Sequence, residues 1–463
     1  MTNSWKWCAA LLPALVLQVN ASDSPPGRPQ FRKVALATGL NEPIQLDVAR
    51  DGSVVFGERK GAIKRWNADS GRTDLLGHLP VFSGPEDGLL GLALDPGFTT
   101  NQWLYLFHST PGIPENRVSR FSLTNGVLDP HSQRVLLQIP TLPKKPNHSG
   151  GGLGFDAAGN LYASTGDYTF ITDSGGFSPL DDRPGREVHD SQRTAANTMD
   201  PRGKILRIHP EPDGTYSAPQ GNWFPFFNDT ATTEIYTMGC RNPFRFSLDP
   251  RTGWLFWGDV GPDALESNSA RGPAGFDEFN LAKSAGNFGW PYFLGDNRAY
   301  RRYDFATQNS GEAFDPLHPV NESRNNTGLR DLPPAQPAFI WYPPGHSTRF
   351  PEMGSGARSA LEGPRFYADN YPASPRRFPE QLDQALFVFE WERSWIRTLQ
   401  LDATGHLIRI EPFAPEISVR RPISMAFGPE GALYVLEWGT AWQDNKDSQL
   451  VRIEPIPPSA PPP

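Results

Sequence analysis

Cysteine is almost absent: the 463-residue sequence holds two, Cys8 and Cys240. Cys8 lies in an N-terminal apolar run expected to be removed, so Cys240 is left alone and an intrachain disulfide is excluded. No C-x-x-C-H occurs, which excludes covalently attached haem. Any redox chemistry must therefore hand its electrons to a group or partner outside this chain. Long apolar runs are lacking as well. Trp7 to Leu17, broken by Pro13, gives roughly 11 residues where about 20 are needed to span a bilayer. With Lys6 before it and Val19-Asn20-Ala21 after it, this run reads as a signal peptide over 1–21. Export is expected, to the periplasm or as a secreted protein, without stable membrane insertion. Positive charge is not in excess either. Lys+Arg 43 against Asp+Glu 51 leaves a net charge of -8, which argues against a nucleic-acid partner.

Glycine and proline are plentiful, at 44 and 48, and aromatic residues make up 12% of the chain. They punctuate the whole sequence, a pattern that favours many short strands and turns over long helices. One template recurs, an apolar strand, a turn built on Asp, Pro or Gly, and a second strand rich in aromatics. It runs through LDVARDGSVVFGE (46–58), LGLALDPGFTTNQWLYLF (90–107), LGFDAAGNLYAST (153–165), FRFSLDPRTGWLFWGD (244–259) and SMAFGPEGALYVLEW (424–438), and weakly through FPEQLDQALFVFEW (378–391). Third strands follow at GAIKRW (61–66), RVSRFSL (117–123), GKILRIHP (203–210) and QLVRIEP (449–455).

About six such units predict an all-β fold, a six-bladed β-propeller over 30–456 with long loop insertions and a Pro-rich tail at 457–463. A β-sandwich or a double-domain β protein is the structural alternative. FRKVALAT (31–38) is expected to close the ring against the last blade, and the long loops are expected at 168–202 and 292–378.

Three clusters carry candidate chemistry. In NHSGGGLGFDAAGNLYASTGDY (147–168), His148 stands before three glycines and Asp167 ends the paired strand. A hairpin would bring imidazole and carboxylate together, the arrangement of a general base near neutral pH. A structural histidine is the plainer reading. The glycines are expected to leave room above the ring's axis for a flat ligand. In GCRNPFRFSLDPRTGWLFWGDVGPDA (239–264), Arg241 can polarise a carbonyl or pin a carboxylate, and Asn242 adds a neutral donor. The carbonyls of Gly261 and Pro262 can serve a hard cation such as Ca2+; ordinary blade turns are the alternative. The third cluster is basic: Arg393, Arg420 and Arg421 late in the chain, and Lys144-Lys145 ahead of His148, suited to a small polyanion or simply surface charge.

Taken in order, EDGLLGLALDPGF (86–98), NHSGGGLGF (147–155), TGD (165–167), RGKILRI (202–208), GCRNPFRFSLDP (239–250), GDVGPDA (258–264), DEFNLAKSAGNFGWP (277–291) and MAFGPEGALYVLEWG (425–439) resemble the glucose/sorbosone dehydrogenase family. These are six-bladed propellers that bind pyrroloquinoline quinone (PQQ) and Ca2+. The resemblance implies that His148 is the base taking a sugar hydroxyl's proton as hydride leaves for the quinone, and that Asp167 orients it. It places Arg241 and Asn242 at the quinone's reactive carbonyls, Gly261 and Pro262 on Ca2+, Asp277 and Glu278 as an acidic pair behind that site, and Arg420 and Arg421 near the cofactor. Two positions depart from the pattern. Glu392, with Arg393 beside it, stands where the best-known glucose enzymes have a cofactor-gripping lysine, and Glu86 stands for a glutamine. The implied partners are a small sugar and an external electron acceptor, a cytochrome or a quinone. A cofactor-free propeller binding a glycan or protein is the alternative from another class, and a Ca2+ lactone hydrolase is a third reading that lacks a carboxylate cage.

Overall fold

The computed structural model describes residues 28–141, 147–170, 172–224 and 230–457. The expected signal peptide, Lys144-Lys145 and all but the first residue of the Pro-rich tail lie outside the described residues. Six sheets built on four antiparallel strands follow one another, the third carrying two further short strands, Tyr216–Ser217 in antiparallel and Gly286–Asn287 in parallel. Their innermost strands are Pro43–Val48, Leu89–Leu94, Gly150–Phe155, Arg245–Leu248, Ala360–Arg365 and Pro422–Phe427. Each touches the innermost strands on either side, and the sixth touches the first, so the sheets close into a six-bladed propeller. Among the described residues no helix is long and apolar enough to cross a membrane.

Blade packing explains the sequence pattern. The second strands Val54–Glu58, Leu386–Glu390 and Leu433–Glu437 are buried at every residue because a neighbouring blade covers each face. Such strands read as continuous apolar runs rather than alternating ones. Phe31–Thr38 pairs antiparallel with Gln449–Pro455, so the chain's first strand completes its last blade, as expected for the ring closure. Phe31 locks this joint by packing its ring 4.9 Å from both Phe378 and Phe413.

The expected loop 292–378 is not one insertion. It contains the outer strand of the fourth blade, Ile340–Tyr342, and the innermost strand of the fifth, Ala360–Arg365. That inner strand reads ALEGPR, in which Glu, Gly and Pro conceal the strand signal. The 378–391 unit accordingly supplies only one strand of its hairpin, Leu386–Glu390.

At the axis, innermost strands expose backbone groups that no further strand can pair, and buried groups of this kind need partners. Arg245 supplies them. Its guanidinium donates to the carbonyls of Ile423 (3.2 Å), Phe244 (2.8 Å), Ile44 (2.5 Å) and Leu90 (3.3 Å), tying its own blade to the sixth, first and second. Burial pushes its pKa down to about 9, which leaves it charged at neutral pH. Gln45 adds a second tie, donating to Leu153 O at 2.8 Å and accepting from the N–H groups of Leu92 and Leu153.

Glu362, in the fifth inner strand, is buried with neither carboxyl oxygen hydrogen-bonded. Burial pushes its pKa well above the ordinary carboxylate value. A raised folded-state pKa means that stability is fullest in acid and falls as pH rises above the unfolded value, by at most about 1.4 kcal/mol per pH unit. Glu362→Gln cannot ionise. Thermal unfolding across neutral pH should show the variant gaining on the parent as pH rises; parallel curves would contradict a buried, unpartnered acid.

Candidate active site

In each blade the start of the inner strand and the end of the second strand lie at the same corner, because the hairpin between them is antiparallel. Six such corners meet at one mouth of the ring. A cavity of about 310 Å3 opens there, lined by Glu86, His148, Arg241, Asn242, Gly261, Arg358 and a wall of Trp391, Trp438 and Trp442. The second strands end on acids in blades one, four, five and six: Glu58, Asp259, Glu390 and Glu437. Several accept the N–H groups that open an inner strand: Asn41 to Glu58, Arg241 and Asn242 to Asp259, Ser359 to Glu390. Asp167 is the third blade's version of this acid, and it alone among these faces a histidine.

The His148 Nδ1 lies 2.7 Å from Asp167 Oδ1. The other oxygen accepts from Ser191 Oγ (2.6 Å), Thr169 Oγ1 (2.8 Å) and Trp290 Nε1 (2.7 Å). Burial alone would raise the Asp167 pKa, but the His148 imidazole, Arg241 and the Ser191 hydroxyl outweigh it and hold the carboxyl well below its ordinary range. An ionised carboxylate only accepts hydrogen bonds. It therefore accepts from Nδ1 of His148, so that in the neutral ring Nε2 is the nitrogen able to take a ligand's proton.

His148 itself has φ 58°, a left-handed conformation that is uncommon outside glycine. Its N–H is held by Glu86 Oε2 at 2.5 Å, and the neighbouring Asn147 Nδ2 donates to Glu86 Oε1 at 3.3 Å. The carboxylate of Glu86 is thus spent on shaping the histidine's loop, a role a single amide oxygen fills less completely.

The three glycines do not open space for a ligand. A Cβ on Gly151 would lie 2.4 Å from Leu90 Cβ, and one on Gly150 would lie 2.7 Å from Gly166 N. At Gly166 it would lie 1.7 Å from the His148 carbonyl. Missing side chains here let the second and third blades close on each other and press the His148 loop onto the Asp167 strand.

Asn242 Oδ1 accepts from Gly150 N at 3.0 Å, and Asp167 N–H donates to Arg241 O at 2.8 Å, so the second cluster is stitched to the first. Arg241 Nη1 donates to Val260 O at 2.6 Å. Pro262, Asp277 and Glu278 lie behind Gly261. Asp277 accepts from Gly261 N (3.0 Å) and Ala360 N (2.9 Å), and Glu278 accepts from Gly295 N and Asn280 Nδ2.

The Arg421 guanidinium lies 4.6 Å from the centroid of the Trp391 ring and 3.3 Å from Glu392, whose charge it offsets, and it donates to Thr440 O at 2.9 Å. The structure brings none of Arg393, Arg420 and Arg421 into the cavity lining. The guanidinium of Arg393 donates to the carbonyls of Ala357, Met353, Pro343 and Gly356, bracing a loop. Arg420 is half-exposed and pairs with Asp447 at 3.5 Å. Sequence reasoning missed the tryptophan wall, Arg358, and the Ser191 and Trp290 donors on Asp167. The WERSW and EWGTAW stretches signalled the tryptophans. Arg358 was hidden with the unread inner strand of the fifth blade.

The profile described as Glucose / Sorbosone dehydrogenase matches residues 40–330. The chain belongs to the glucose/sorbosone dehydrogenase family. It is 27% identical over 339 residues to quinoprotein glucose dehydrogenase B of Acinetobacter calcoaceticus, covering 67% of this chain and 65% of that protein. It is 26% identical over 242 residues to aldose sugar dehydrogenase YliI of Escherichia coli K12, covering 50% and 54%. The aligned stretches thus span between about half and two thirds of these curated relatives. Among solved structures, an oxidoreductase (glucose dehydrogenase) from Thermus thermophilus superposes with a TM-score of 0.61 at 25% identity, covering 91% of this chain and 99% of that one. The glucose/sorbosone dehydrogenase match begins at the first blade and runs through the His148, Arg241 and Gly261 corners.

Proposed function

We propose that this protein oxidises the hydroxyl of an aldose or related sugar, with PQQ in the ring-mouth cavity as hydride acceptor and His148 as general base. The observation that carries this reading is the oriented His148–Asp167 pair set beside Arg241 and Asn242 in a tryptophan-walled cavity. The residues present suit PQQ, which is flat and carries three carboxylates. Indole rings and the apolar floor at Ile44, Leu90 and Phe244 accept a planar ring, and Arg241 and Arg358 meet its negative charge. PQQ, when bound, supplies the two-electron acceptor that the chain itself lacks. The protein's part is positional. Nε2 of His148 takes the hydroxyl proton, Asp167 stabilises the imidazolium that results, and Arg241, lining the same cavity, would hold the acceptor by its charge.

The residues suit Ca2+ poorly: of the two carbonyls expected to hold it, that of Pro262 is already taken by a guanidinium N–H from Arg358, and both oxygens of Asp277 behind it accept backbone N–H groups.

Protein loaded with PQQ, with and without Ca2+, and offered a panel of aldoses should reduce an artificial dye. Bound PQQ without dye reduction on any aldose would refute the activity. Failure to bind PQQ at all would return the ring mouth to a cofactor-free binding role, which a glycan array would then probe.

A further inference from the structure

We propose that the guanidinium of Arg358 occupies the place of the divalent cation in this mouth, so that PQQ is held without calcium. The inference rests on the reading of PQQ as the ligand. Arg358 precedes the innermost strand of the fifth blade, and its side chain is 6% exposed while still lining the cavity. Nη2 donates to the carbonyl of Pro262, and Nε lies 2.8 Å from Asp277 Oδ1. The Nε–H finds no hydrogen-bond geometry at that oxygen, so the contact is coulombic, as a point cation's would be. A backbone carbonyl and a carboxylate are the oxygens a hard cation selects. Here both already face a permanent positive charge.

The fold is shaped to admit this side chain. A Cβ on Gly275 would lie 1.6 Å from Pro262 O and 2.8 Å from Arg358 Nη2, and one on Gly261 would lie 1.6 Å from Phe276 O. These glycines let the segments around 261 and 275 press together with the guanidinium seated against them. Both oxygens of Asp277 are also engaged, Oδ1 by Gly261 N–H and Oδ2 by Ala360 N–H. A calcium ion entering here would have to expel Arg358 from two partners or sit beside a like charge at short range. Arginine carries its charge at any working pH, so this positive centre is present without a bound ion.

The test is a titration of PQQ into metal-stripped protein, in EGTA and again with Ca2+ in excess, read by quenching of tryptophan fluorescence. The expected result is the same dissociation constant in both, within about twofold. Binding that requires Ca2+ would overturn the inference and leave the PQQ reading intact; no binding in either buffer would overturn the PQQ reading itself. In EGTA, Arg358→Ala should weaken PQQ binding roughly 10- to 100-fold, the worth of a charge-assisted hydrogen bond. Unchanged affinity in that variant would overturn the assignment. If the variant does not fold, the parent's two titrations decide alone.

Discussion

His148→Ala, loaded with PQQ, is expected to lose sugar-dependent dye reduction by roughly 10^2- to 10^4-fold, the usual worth of a positioned general base. Its PQQ affinity should stay within a few-fold of the parent's, because the cationic and aromatic contacts in the mouth come from Arg241, Arg358 and the tryptophans. The loss should fall on kcat more than on KM, since proton transfer belongs to the reacting state. Asp167→Asn should share much of this deficit without removing the base. An amide can donate to Nδ1 and favour the wrong tautomer, while the Ser191 and Trp290 donors lose a charged acceptor. The depressed pKa of Asp167 sets the sign with pH. Its ionised form, and the stability that form contributes, persist above the ordinary carboxylate value and are lost only in strong acid. The orienting charge is therefore constant across neutral pH. Turnover of His148→Ala equal to the parent's would remove the base assignment.

Arg245→Leu should damage the fold severely, lowering stability on the order of 3–5 kcal/mol. Leucine fills part of the volume but leaves the carbonyls of Ile423, Phe244, Ile44 and Leu90 facing a buried apolar group. Each unsatisfied acceptor costs about 1–3 kcal/mol, reduced where the strands can shift or a water can enter. Phe244 and Leu90 also line the cavity, so the loss should reach the site. Chemical denaturation reads the effect directly. A change under about 1 kcal/mol would show that the inner strands satisfy one another without this tie.

Much of this architecture could be read from the chain because propeller blades repeat their turn chemistry. The hairpins at 46–58 and 424–438 announce themselves through Asp-Gly and Pro-Glu-Gly turns between apolar strands, and Phe31–Thr38 carried enough alternation to be placed at the joint. The innermost strand of the fifth blade escaped because Ala360–Arg365 is specified by its neighbours, not by its own propensity. With that strand went Arg358, which precedes it. His148 and Asp167 were legible as a pair because one hairpin fixes their separation. The glycines between them were visible too, yet their use was not. Only the packing of Leu90 against Gly151 shows that they bring blades together instead of making room for a ligand. Arg393 and Arg421 looked alike as late arginines; loop carbonyls claim the first, and Glu392, the Trp391 ring and Thr440 O claim the second.

The most direct measurement is a single turnover in a stopped-flow cell, mixing PQQ-loaded protein with excess aldose and no dye while the quinone absorbance is followed. The parent should reduce its bound quinone rapidly with at least one aldose, and His148→Ala, carrying the same PQQ, should do so at least about 10^2-fold more slowly. Quinone that stays oxidised with every aldose, or is reduced equally fast in the variant, would contradict a sugar-oxidising site built on His148.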